Sequence, residues 1–273
     1  MGAVHGVYLK YVGLSVASYA GYSMIMSSSP SSTFSTTRSL TASSDLSLLK
    51  LGTAAVLGYS AILNGAIAIL FKLERGMWLL GKDPKTGQIP MWSYVLFFPF
   101  HIPTILYTHL HTRHGSMKVV KRDGGVNRET VPVASEVQSG WWVGGWYGHE
   151  LNKVWGGIID LTVEFPERMT TTSYLSIPTW DGVPPTPAQL EEAAIFGVEA
   201  RKKGDVMVHC AHGRGRSTTV MCACLVKAGL FKNWEDAFEK GIKPGRSVCK
   251  LNSLMKKALR AWQEQYVDGK KDD

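Results

Sequence analysis

Residues 209–217 read His-Cys-Ala-His-Gly-Arg-Gly-Arg-Ser, and they are the most informative segment of the C-terminal half. The run that leads into it, residues 206–209, is mostly apolar and typical of a buried strand. Residues 217–226 continue from it as an apolar run typical of a buried helix. The sequence therefore predicts a glycine-bearing loop between a strand and a helix, where backbone N–H groups and the helix N-terminus converge on a phosphate.

The residue types in this loop suit phosphoryl transfer. A helix N-terminus and nearby arginines favour the thiolate form of Cys210, which is the nucleophile. The planar fork of Arg216 can hold two phosphate oxygens in the ground state and in the transition state. Gly213 and Gly215 permit backbone conformations that a Cβ resists, and Ser217 can hydrogen-bond the sulfur as it leaves. The alternative, a buried cysteine followed by an unrelated arginine, is disfavoured by the combined pattern.

The stretch 209–217 resembles HCxxGxxR[ST], the signature loop of the cysteine-dependent protein tyrosine phosphatases, and its short form is most similar to the dual-specificity phosphatases. The resemblance implies a phosphocysteine intermediate, no metal or other cofactor, and an aspartate general acid on a separate upstream loop. It also implies that His209 belongs to a hydrogen-bond network that orients the loop. Asn252 matches an asparagine that many members carry behind the loop, and a helix cap explains it equally well. The residues that would bind the substrate phosphate are Ala211, His212, Gly213, Arg214, Gly215 and Arg216.

Asp181 is the candidate general acid. It lies 29 residues before Cys210, in a loop with prolines at both ends and a glycine that lets it bend. A general acid here would protonate the leaving oxygen and then activate water against the phosphocysteine. The alternative is an aspartate that only forms a turn, since Asp before Gly is common there. Asp160, in a predicted core strand, and Asp205, at the wrong end of the nucleophile strand, are worse placed. Trp180 is either a pocket wall or ordinary packing.

The rest of the C-terminal half alternates between strand and helix patterns. Such alternation predicts an α/β sandwich with a central, largely parallel sheet flanked by helices. With the resemblance, the expected fold is protein tyrosine phosphatase-like, in a catalytic domain at 133–267 that transmembrane helices precede. Strands are expected near 133–137, 141–145, 159–162 and 173–177, and helices at 187–203, 233–240 and 251–266.

Apolar segments dominate the N-terminal half. Residues 51–71 carry no charge and are long enough to span a bilayer, which takes about 20 apolar residues. Residues 91–110 also lack Lys, Arg, Asp and Glu, but prolines and histidines leave open a kinked or interfacial helix. Residues 7–26 form a third candidate span that Lys10 shortens, with a signal-like segment as the alternative. The membrane region is therefore placed at 51–110.

Segments without a core pattern separate these regions. Residues 1–50 are expected to be flexible or to serve in targeting, and their Ser/Thr-rich part fits either a tether or an organelle transit sequence. Residues 111–132 are expected to be a basic linker, and residues 268–273 a charged tail. Since every motif lies beyond residue 132, deletion of residues 1–132 is expected to leave a soluble, folded and active domain.

The net charge of +8 belongs mainly to the N-terminal half. Residues 1–132 hold 12 basic and 5 acidic residues, whereas residues 133–273 hold 18 and 17. A basic surplus beside apolar segments favours an anionic membrane face as partner and disfavours nucleic acid. The cations between the two main predicted spans are Lys72, Arg75, Lys82 and Lys85. Their number nearly equals that of the cations that follow the second span, so charge does not set the orientation of the protein in the membrane. Because Cys210 must stay reduced, we expect a multi-pass integral membrane protein with its catalytic domain in a reducing compartment, the cytosol, in a membrane the sequence does not specify.

Three classes of function fit the sequence. The first, and the preferred one, is a membrane-anchored dual-specificity phosphatase that acts on phosphoproteins at Tyr and Ser/Thr. The second is a phospholipid phosphatase of the same fold, acting on phosphoinositides or phosphatidylglycerophosphate. Arg214, on the crown of the loop, favours this class because its guanidinium can bind a second negative group of the substrate. His212 supports the class less, because it is only partly charged at neutral pH. The third, a non-catalytic phosphate-binding adaptor, is disfavoured by the joint presence of Cys210, Asp181 and Arg216.

Overall fold

Two long helices form an antiparallel pair at the N-terminus. This computed structural model describes residues 6–28, 40–112, 117–122 and 125–269, with side chains described outside 40–46 and 117–130. The two helices are α1 (Leu9–Ser27) and α2 (Leu40–Lys72). Glycines allow their backbones to approach closely, because Gly65 faces Ser15 and Gly21 faces Leu57. The Ser15 hydroxyl also donates to the Ala61 carbonyl across the pair over 2.7 Å.

α2 has the length and hydropathy of a membrane-spanning helix. Its part Ser47–Lys72 has 26 residues and contains an 18-residue window with a mean hydropathy of 1.9. At 1.5 Å per residue this part is about 39 Å long, more than the ~30 Å hydrocarbon core of a bilayer. The predicted span 51–71 lies within it. α1 is helical where residues 7–26 predicted a helix, but among the described residues α2 alone meets both criteria.

The second main predicted span is not one helix. Residues 91–110 form α3 (Met91–Leu96) and α4 (Phe98–Leu110), which meet at Phe97. The physical reason is Pro99, which lacks the N–H of a continuing helix and is suited to the first turn of a new one. α4 has 13 residues, and a helix of that length is about 20 Å long and too short to cross a bilayer alone. Residues 91–110 are therefore kinked, as their prolines left open, and both a membrane span there and a multi-pass topology stay predictions.

Part of the predicted linker is a β-hairpin. β1 (Met117–Arg122) and β2 (Gly125–Thr130) pair antiparallel, so residues 111–132 contain regular structure. The segment expected to be flexible before the first span also ends early, because α2 already begins at Leu40. Residues 1–5, 29–39 and 270–273, on which parts of the targeting, tether and tail expectations fall, lie outside the described residues.

A mostly parallel five-stranded sheet forms the centre of the C-terminal half and confirms the predicted α/β class. The strands of this half are β3 (Ala134–Gln138), β4 (Trp141–Gly144), β5 (Val154–Trp155), β6 (Gly157–Thr162), β7 (Thr170–Thr171), β8 (Tyr174–Thr179) and β9 (Val206–His209). The sheet order is β3-β4-β9-β6-β8, and only the β3–β4 pair is antiparallel. β5 and β7 form a separate pair. Because parallel strands end at the same edge, the C-terminal ends of β6, β8 and β9 meet there and carry the candidate site.

Four α-helices and a 3-10 helix (Trp146–Leu151) complete this half. The four α-helices are α5 (Pro187–Arg201), α6 (Arg216–Lys227), α7 (Trp234–Asp236) and α8 (Ser253–Gln263), with π-helical turns extending α7 to Ile242 and α8 to Asp268. A capping box of Thr186 and Gln189 starts α5, which explains why the chain turns into a helix there. α6 is buried from Arg216 to Val226 and is the apolar centre on which the other helices pack. These elements correspond to the helices predicted at 187–203, 217–226, 233–240 and 251–266.

Candidate active site

The cysteine loop lies between β9 and α6, at the C-terminal edge of the sheet. β9 ends at His209 and α6 begins at Arg216, so the predicted strand, loop and helix are confirmed. Gly213 has a φ of +63°, and a Cβ there would collide with the backbone of Gly144 at the end of β4. The backbone N–H of Cys210 donates to the Gly144 carbonyl over 3.3 Å. The loop is therefore held against the end of the neighbouring strand, and only glycine fits at position 213.

Cys210 carries a thiol that its surroundings acidify. The residue is 2 % exposed, and burial alone would raise the pKa of the thiol. The Arg216 guanidinium, the Ser217 hydroxyl and the backbone N–H groups of Ser217 and Arg214 favour the thiolate more strongly, so the pKa is lowered. Ser217 Oγ lies 3.4 Å from the sulfur. Burial raises the pKa of the three other cysteines, which are Cys222, Cys224 and Cys249. The acidified thiol of this chain is therefore that of Cys210.

Arg216 is fixed by backbone carbonyls and keeps part of its guanidinium for a ligand. Its Nη1 donates to the carbonyl of Leu161 over 3.0 Å and to that of Thr179 over 2.6 Å, at β6 and β8. Its Nε is buried and has no hydrogen-bond partner among the described residues. A buried N–H without a partner costs free energy, so this position suits an acceptor that arrives with a ligand. Nε and Nη2 form the edge with which an arginine holds two phosphate oxygens.

A carboxylate that the sequence did not single out, Glu164, pairs with Arg216. Its Oε1 accepts from Nη2 over 2.7 Å, and its Oε2 accepts from the backbone N–H of Val163 over 2.9 Å. Glu164 follows the end of β6, and a single Glu after a strand has no pattern that distinguishes it from a loop residue. We call Arg216, Glu164 and Asp181 the Arg216 cluster.

The structure brings the predicted general acid to the cysteine loop. Asp181 Oδ1 lies 3.6 Å from Arg216 Nη2, and the Asp181 side chain is 14 % exposed. Burial alone would raise the pKa of Asp181, but the Arg216 guanidinium outweighs it, with a smaller contribution from Lys10, and the pKa is lowered. Asp181 is therefore a carboxylate when no substrate is bound. A phosphate dianion beside Arg216 would offset the arginine charge and raise the pKa of Asp181, so that Asp181 takes up a proton from solvent when the substrate binds.

The N-terminal helices hold the loop that carries Asp181. Trp180 is 1 % exposed, and its ring stacks on Phe71 of α2 at 5.3 Å and meets Phe100 of α4 edge-on at 6.1 Å. Its indole N–H donates to the carbonyl of Arg75 over 2.7 Å. Of the two interpretations of Trp180, the structure therefore favours packing, and this packing joins the acid loop to α2 and α4.

Two residues support the loops from behind. Asn252 Nδ2 donates to the carbonyl of Gly182 over 2.8 Å, and its Oδ1 accepts from the backbone N–H of Met255 over 2.8 Å. Asn252 is thus the cap of α8, as one alternative predicted, and it supports the acid loop. Arg246, which sequence reasoning missed, is buried and donates through Nε to the carbonyl of Gly213 over 2.8 Å. This contact fixes the crown of the cysteine loop.

A second buried ionic cluster lies behind His209. Its members are Lys82, Asp160, Glu167 and His209, and we call it the Lys82 cluster. Lys82 Nζ lies 2.5 Å from Asp160 Oδ2, and both side chains are fully buried. Nζ also donates to the carbonyl of Thr162 over 2.7 Å and to its hydroxyl over 2.8 Å. His209 Nε2 lies 2.7 Å from Glu167 Oε2, so His209 lies in a network of the kind that the resemblance implies.

The charges of the Lys82 cluster stabilise one another. Burial alone would raise the pKa of Asp160, but the Lys82 ammonium outweighs it and lowers the pKa to about 2. Burial alone would lower the pKa of His209, but the carboxylates of Asp160 and Glu167 outweigh it and the pKa is raised. Asp160, Glu167 and His209 lie close enough to chelate a metal ion, but the Lys82 ammonium already supplies a cation at Asp160.

These contacts cross the predicted boundary at residue 132. Lys82 and Phe71 belong to the region that was expected to be dispensable, and the backbone N–H of Glu167 donates to the carbonyl of Gly87 over 2.9 Å. Without residues 1–132, Asp160 would be buried without its cation, which is a costly state. The packing argues against a fragment that folds and works alone, and the limits of the catalytic domain stay a prediction.

The remaining loop side chains face two different spaces. His212 is 9 % exposed, and burial lowers its pKa to about 3, so the ring is neutral and the partial charge expected of it is wrong. Its ring meets that of Tyr107 at 6.1 Å. Arg214 is half-buried and, with Arg246, lines a small neighbouring cavity. The contact of Arg214 with a second negative group of the substrate therefore stays a prediction, whereas Ala211 and Gly215 are buried in the loop itself.

Known proteins resemble this chain only in part. No protein-family model and no curated protein matches it. Among solved structures, human DUSP28 aligns at 20% identity and a TM-score of 0.41, over 49% of this chain and 95% of its own. A mouse putative dual specificity phosphatase complexed with zinc tungstate aligns at 22% identity and a TM-score of 0.41, over 52% and 95%. PTPMT1 in complex with PI(5)P aligns at 19% identity and a TM-score of 0.42, over 51% and 99%. The mouse protein is named a putative dual specificity phosphatase, and each alignment covers about half of this chain.

Proposed function

We propose that this chain is a membrane-anchored, cysteine-dependent phosphatase that hydrolyses phosphomonoesters through a phosphocysteine intermediate. The main support is the Nε–H of Arg216, which has no partner among the described residues and lies in the same site as the acidified thiol of Cys210 and the carboxylate of Asp181. A phosphate-binding adaptor would need the arginine, but it would need neither a nucleophile nor an acid. The joint arrangement therefore favours catalysis over binding alone.

In the first half-reaction, the Cys210 thiolate attacks phosphorus. A sulfur–phosphorus bond forms, and the bond from phosphorus to the leaving oxygen breaks. Asp181, protonated once the dianion is bound, gives its proton to that oxygen, and an alcohol or phenol departs. The Nε and Nη2 donors of Arg216 and the backbone N–H groups of the loop hold the other phosphate oxygens as charge develops on them.

In the second half-reaction, water attacks the phosphocysteine. Asp181, now a carboxylate, accepts a proton from the water, an oxygen–phosphorus bond forms, and the sulfur–phosphorus bond breaks. The Ser217 hydroxyl, 3.4 Å from the sulfur, can donate to the thiolate as it leaves. The products are inorganic phosphate and the free thiolate, so the cycle needs no metal and no cofactor.

The location follows from the anchor and the nucleophile. α2 would hold the protein in a membrane, and the catalytic half would face a reducing compartment, the cytosol, because Cys210 must stay a thiol. Both substrate classes expected from the sequence, phosphoproteins and phospholipids, present the phosphomonoester that this chemistry requires. Nucleic acid is not among the proposed partners.

The test is the full chain in detergent with Cys210→Ser. This variant should lose turnover of an aryl phosphate entirely while still binding inorganic phosphate in a calorimeter, since Arg216 and the loop remain. Cys224→Ala is the matched control, because its thiol is buried in α6 away from the site, and it should keep its activity. Residual turnover by Cys210→Ser above a few per cent would remove Cys210 as the nucleophile.

A further inference from the structure

A cavity of about 330 Å³ lies between the cysteine loop and the N-terminal helices. Its floor belongs to the catalytic half and includes Glu164, Asp181 and His212. Its walls belong to the start of the chain, α1 and α4, and they include Val7, Tyr11, Leu14, Pro103 and Tyr107. The volume lies at the lower end of the range of ligand pockets, about 300–1,000 Å³. One cavity therefore joins the phosphate chemistry to side chains of the membrane region.

The floor and the walls differ in chemistry. The floor includes Glu164 and Asp181, which pair with Arg216, and Ala211, which follows Cys210, so the phosphate site borders this end of the cavity. The walls are mostly aliphatic carbons and aromatic rings, which suit an alkyl chain and offer little to a peptide backbone. Lys10 also lines the cavity, with its ammonium 4.3 Å from the ring centroid of Tyr107, and adds a cation for an anionic headgroup.

The outer faces of the same helices are also apolar. Val16 of α1 is 62 % exposed and Ile102 of α4 is 60 % exposed, and both helices lie beside α2. Such faces suit the hydrocarbon of a bilayer, where apolar side chains need no polar partner. A membrane-embedded substrate would therefore meet these helices before it reaches the cysteine loop.

We infer that the substrate is an amphiphilic phosphomonoester whose phosphate binds at Cys210 and whose alkyl chain lies in the cavity between α1 and α4. This inference rests on the proposed function, because it assigns the substrate class of the same site. The sequence favoured phosphoproteins over phospholipids, because the cysteine loop alone carries no information on the walls of the cavity. The inference places phospholipids first.

The test uses substrates that share one headgroup and differ in their chain. The full-length protein in phospholipid nanodiscs would be given glycerol 3-phosphate and its hexanoyl, octanoyl and dodecanoyl monoesters. We expect kcat/KM to rise about fourfold for each methylene that becomes buried, as ~0.8 kcal/mol per methylene implies, and to level off when the cavity is full.

Two variants separate the cavity from simple partitioning into the bilayer. Leu14→Trp adds volume to the cavity wall and should cut the ratio of dodecanoyl to unacylated kcat/KM at least tenfold. Val16→Trp places the same side chain on the exposed face of the same helix and should leave that ratio unchanged. Because both variants experience the same partitioning, a difference between them reports the cavity itself.

The outcomes distinguish this inference from the proposed function. A flat chain-length series, or equal effects of the two variants, overturns the inference if glycerol 3-phosphate or an aryl phosphate is still hydrolysed. Faster hydrolysis of a phosphotyrosine peptide than of every acylated substrate also overturns it and restores the phosphoprotein class. Hydrolysis of none of these compounds contradicts the proposed function instead.

Discussion

The two buried ionic clusters both pair a cation with carboxylates, and they differ in whether every N–H bond of that cation has an acceptor. In the Lys82 cluster, the three N–H bonds of the ammonium have three acceptors, one on Asp160 and two on Thr162, at 2.5–2.8 Å. In the Arg216 cluster, the guanidinium keeps an unpaired Nε–H among the described residues, and its carboxylate neighbours, Glu164 and Asp181, line a cavity. The first cation is fully satisfied, and the second is not.

The difference separates a structural charge from a functional one. A buried cation whose N–H bonds all have acceptors stabilises one arrangement of the chain. This holds for Lys82, although Nδ1 of His209 in the same cluster has no hydrogen-bond partner among the described residues. A buried donor without a partner costs free energy in the empty protein, and it persists where a ligand supplies the partner. We therefore assign stability to the Lys82 cluster and phosphate binding to the Arg216 cluster, although both lie at the same edge of the sheet.

Asp181→Asn tests the functional cluster and should have the largest effect. The amide cannot donate a proton to the leaving oxygen, so kcat/KM for alkyl phosphates should fall about 10²–10⁴-fold. Aryl phosphates, whose phenolate leaves unaided, should be slowed much less in the first step. Hydrolysis rates with both substrate types check this, and an equal loss on both would assign Asp181 to structure.

The same variant carries a pH signature. Acid catalysis requires protonated Asp181, so the wild-type rate on alkyl phosphates should fall as the pH rises through the pKa of Asp181 in the substrate complex. Asp181→Asn has no such group, and its rate should lack this alkaline limb. A limb of unchanged position in the variant would show that another group supplies the proton.

Lys82→Met tests the structural cluster, with a somewhat smaller effect. Removing the ammonium leaves the fully buried Asp160 carboxylate without its cation, which should cost about 3–5 kcal/mol of unfolding free energy. Denaturant unfolding of the full chain in detergent measures this. Lys85→Met, an exposed lysine in the same connection, is the control and should change stability little.

A second substitution separates charge from packing in that result. Adding Asp160→Asn to Lys82→Met removes the unpaired charge and should recover part of the lost stability. If the double variant is as unstable as Lys82→Met, the methionine disturbs packing, and the Lys82–Asp160 ion pair contributes less to the unfolding free energy than expected. If Lys82→Met is as stable as the wild type, the Lys82 cluster is not a structural charge.

Acid should reduce the difference in unfolding free energy between the wild type and Lys82→Met, and this is the smallest of the expected effects. The folded pKa of Asp160 is lowered to about 2, below the unfolded value of about 3.9. The stability that this provides is therefore present above pH ~4 and is lost as the pH falls toward 2. In Lys82→Met the carboxyl loses the cation that lowers its pKa, so the two proteins should approach each other in stability below pH ~4. A difference that is independent of pH would contradict the charge assignment.

The sequence predicted the parts of the site that are contiguous. Cys210, Arg216 and Ser217 lie within one loop, and their spacing is set by the turn between β9 and α6. Asp181 was found because its loop carries its own prolines and glycine. The strands and helices around these residues also lie where the sequence predicted them, because alternating parallel strands and helices produce a clear alternation of apolar runs in the sequence.

The sequence missed the residues that reach the site only through the fold. Glu164 lies 52 residues before Arg216, and Lys82 lies 78 residues before Asp160. Lys82 lies between two apolar segments and was treated as one of several loop cations that orient a membrane protein. Nothing local distinguishes it from Lys85, because burial of its ammonium depends on how α2 and β6 come together. The role of the N-terminal half in supporting the acid loop was missed for the same reason.

We propose that the Arg216 cluster holds a phosphate that is transferred to Cys210. The most direct measurement is a denaturing quench of Asp181→Asn during turnover of an aryl phosphate, followed by peptide mass spectrometry. Because the amide cannot activate water, the intermediate should accumulate, with one phosphate on the peptide that contains Cys210. The triple variant that combines Asp181→Asn with Lys82→Met and Asp160→Asn should also carry this phosphate if the Lys82 cluster is purely structural. Phosphate on another residue, or turnover without a covalent intermediate, would contradict the account.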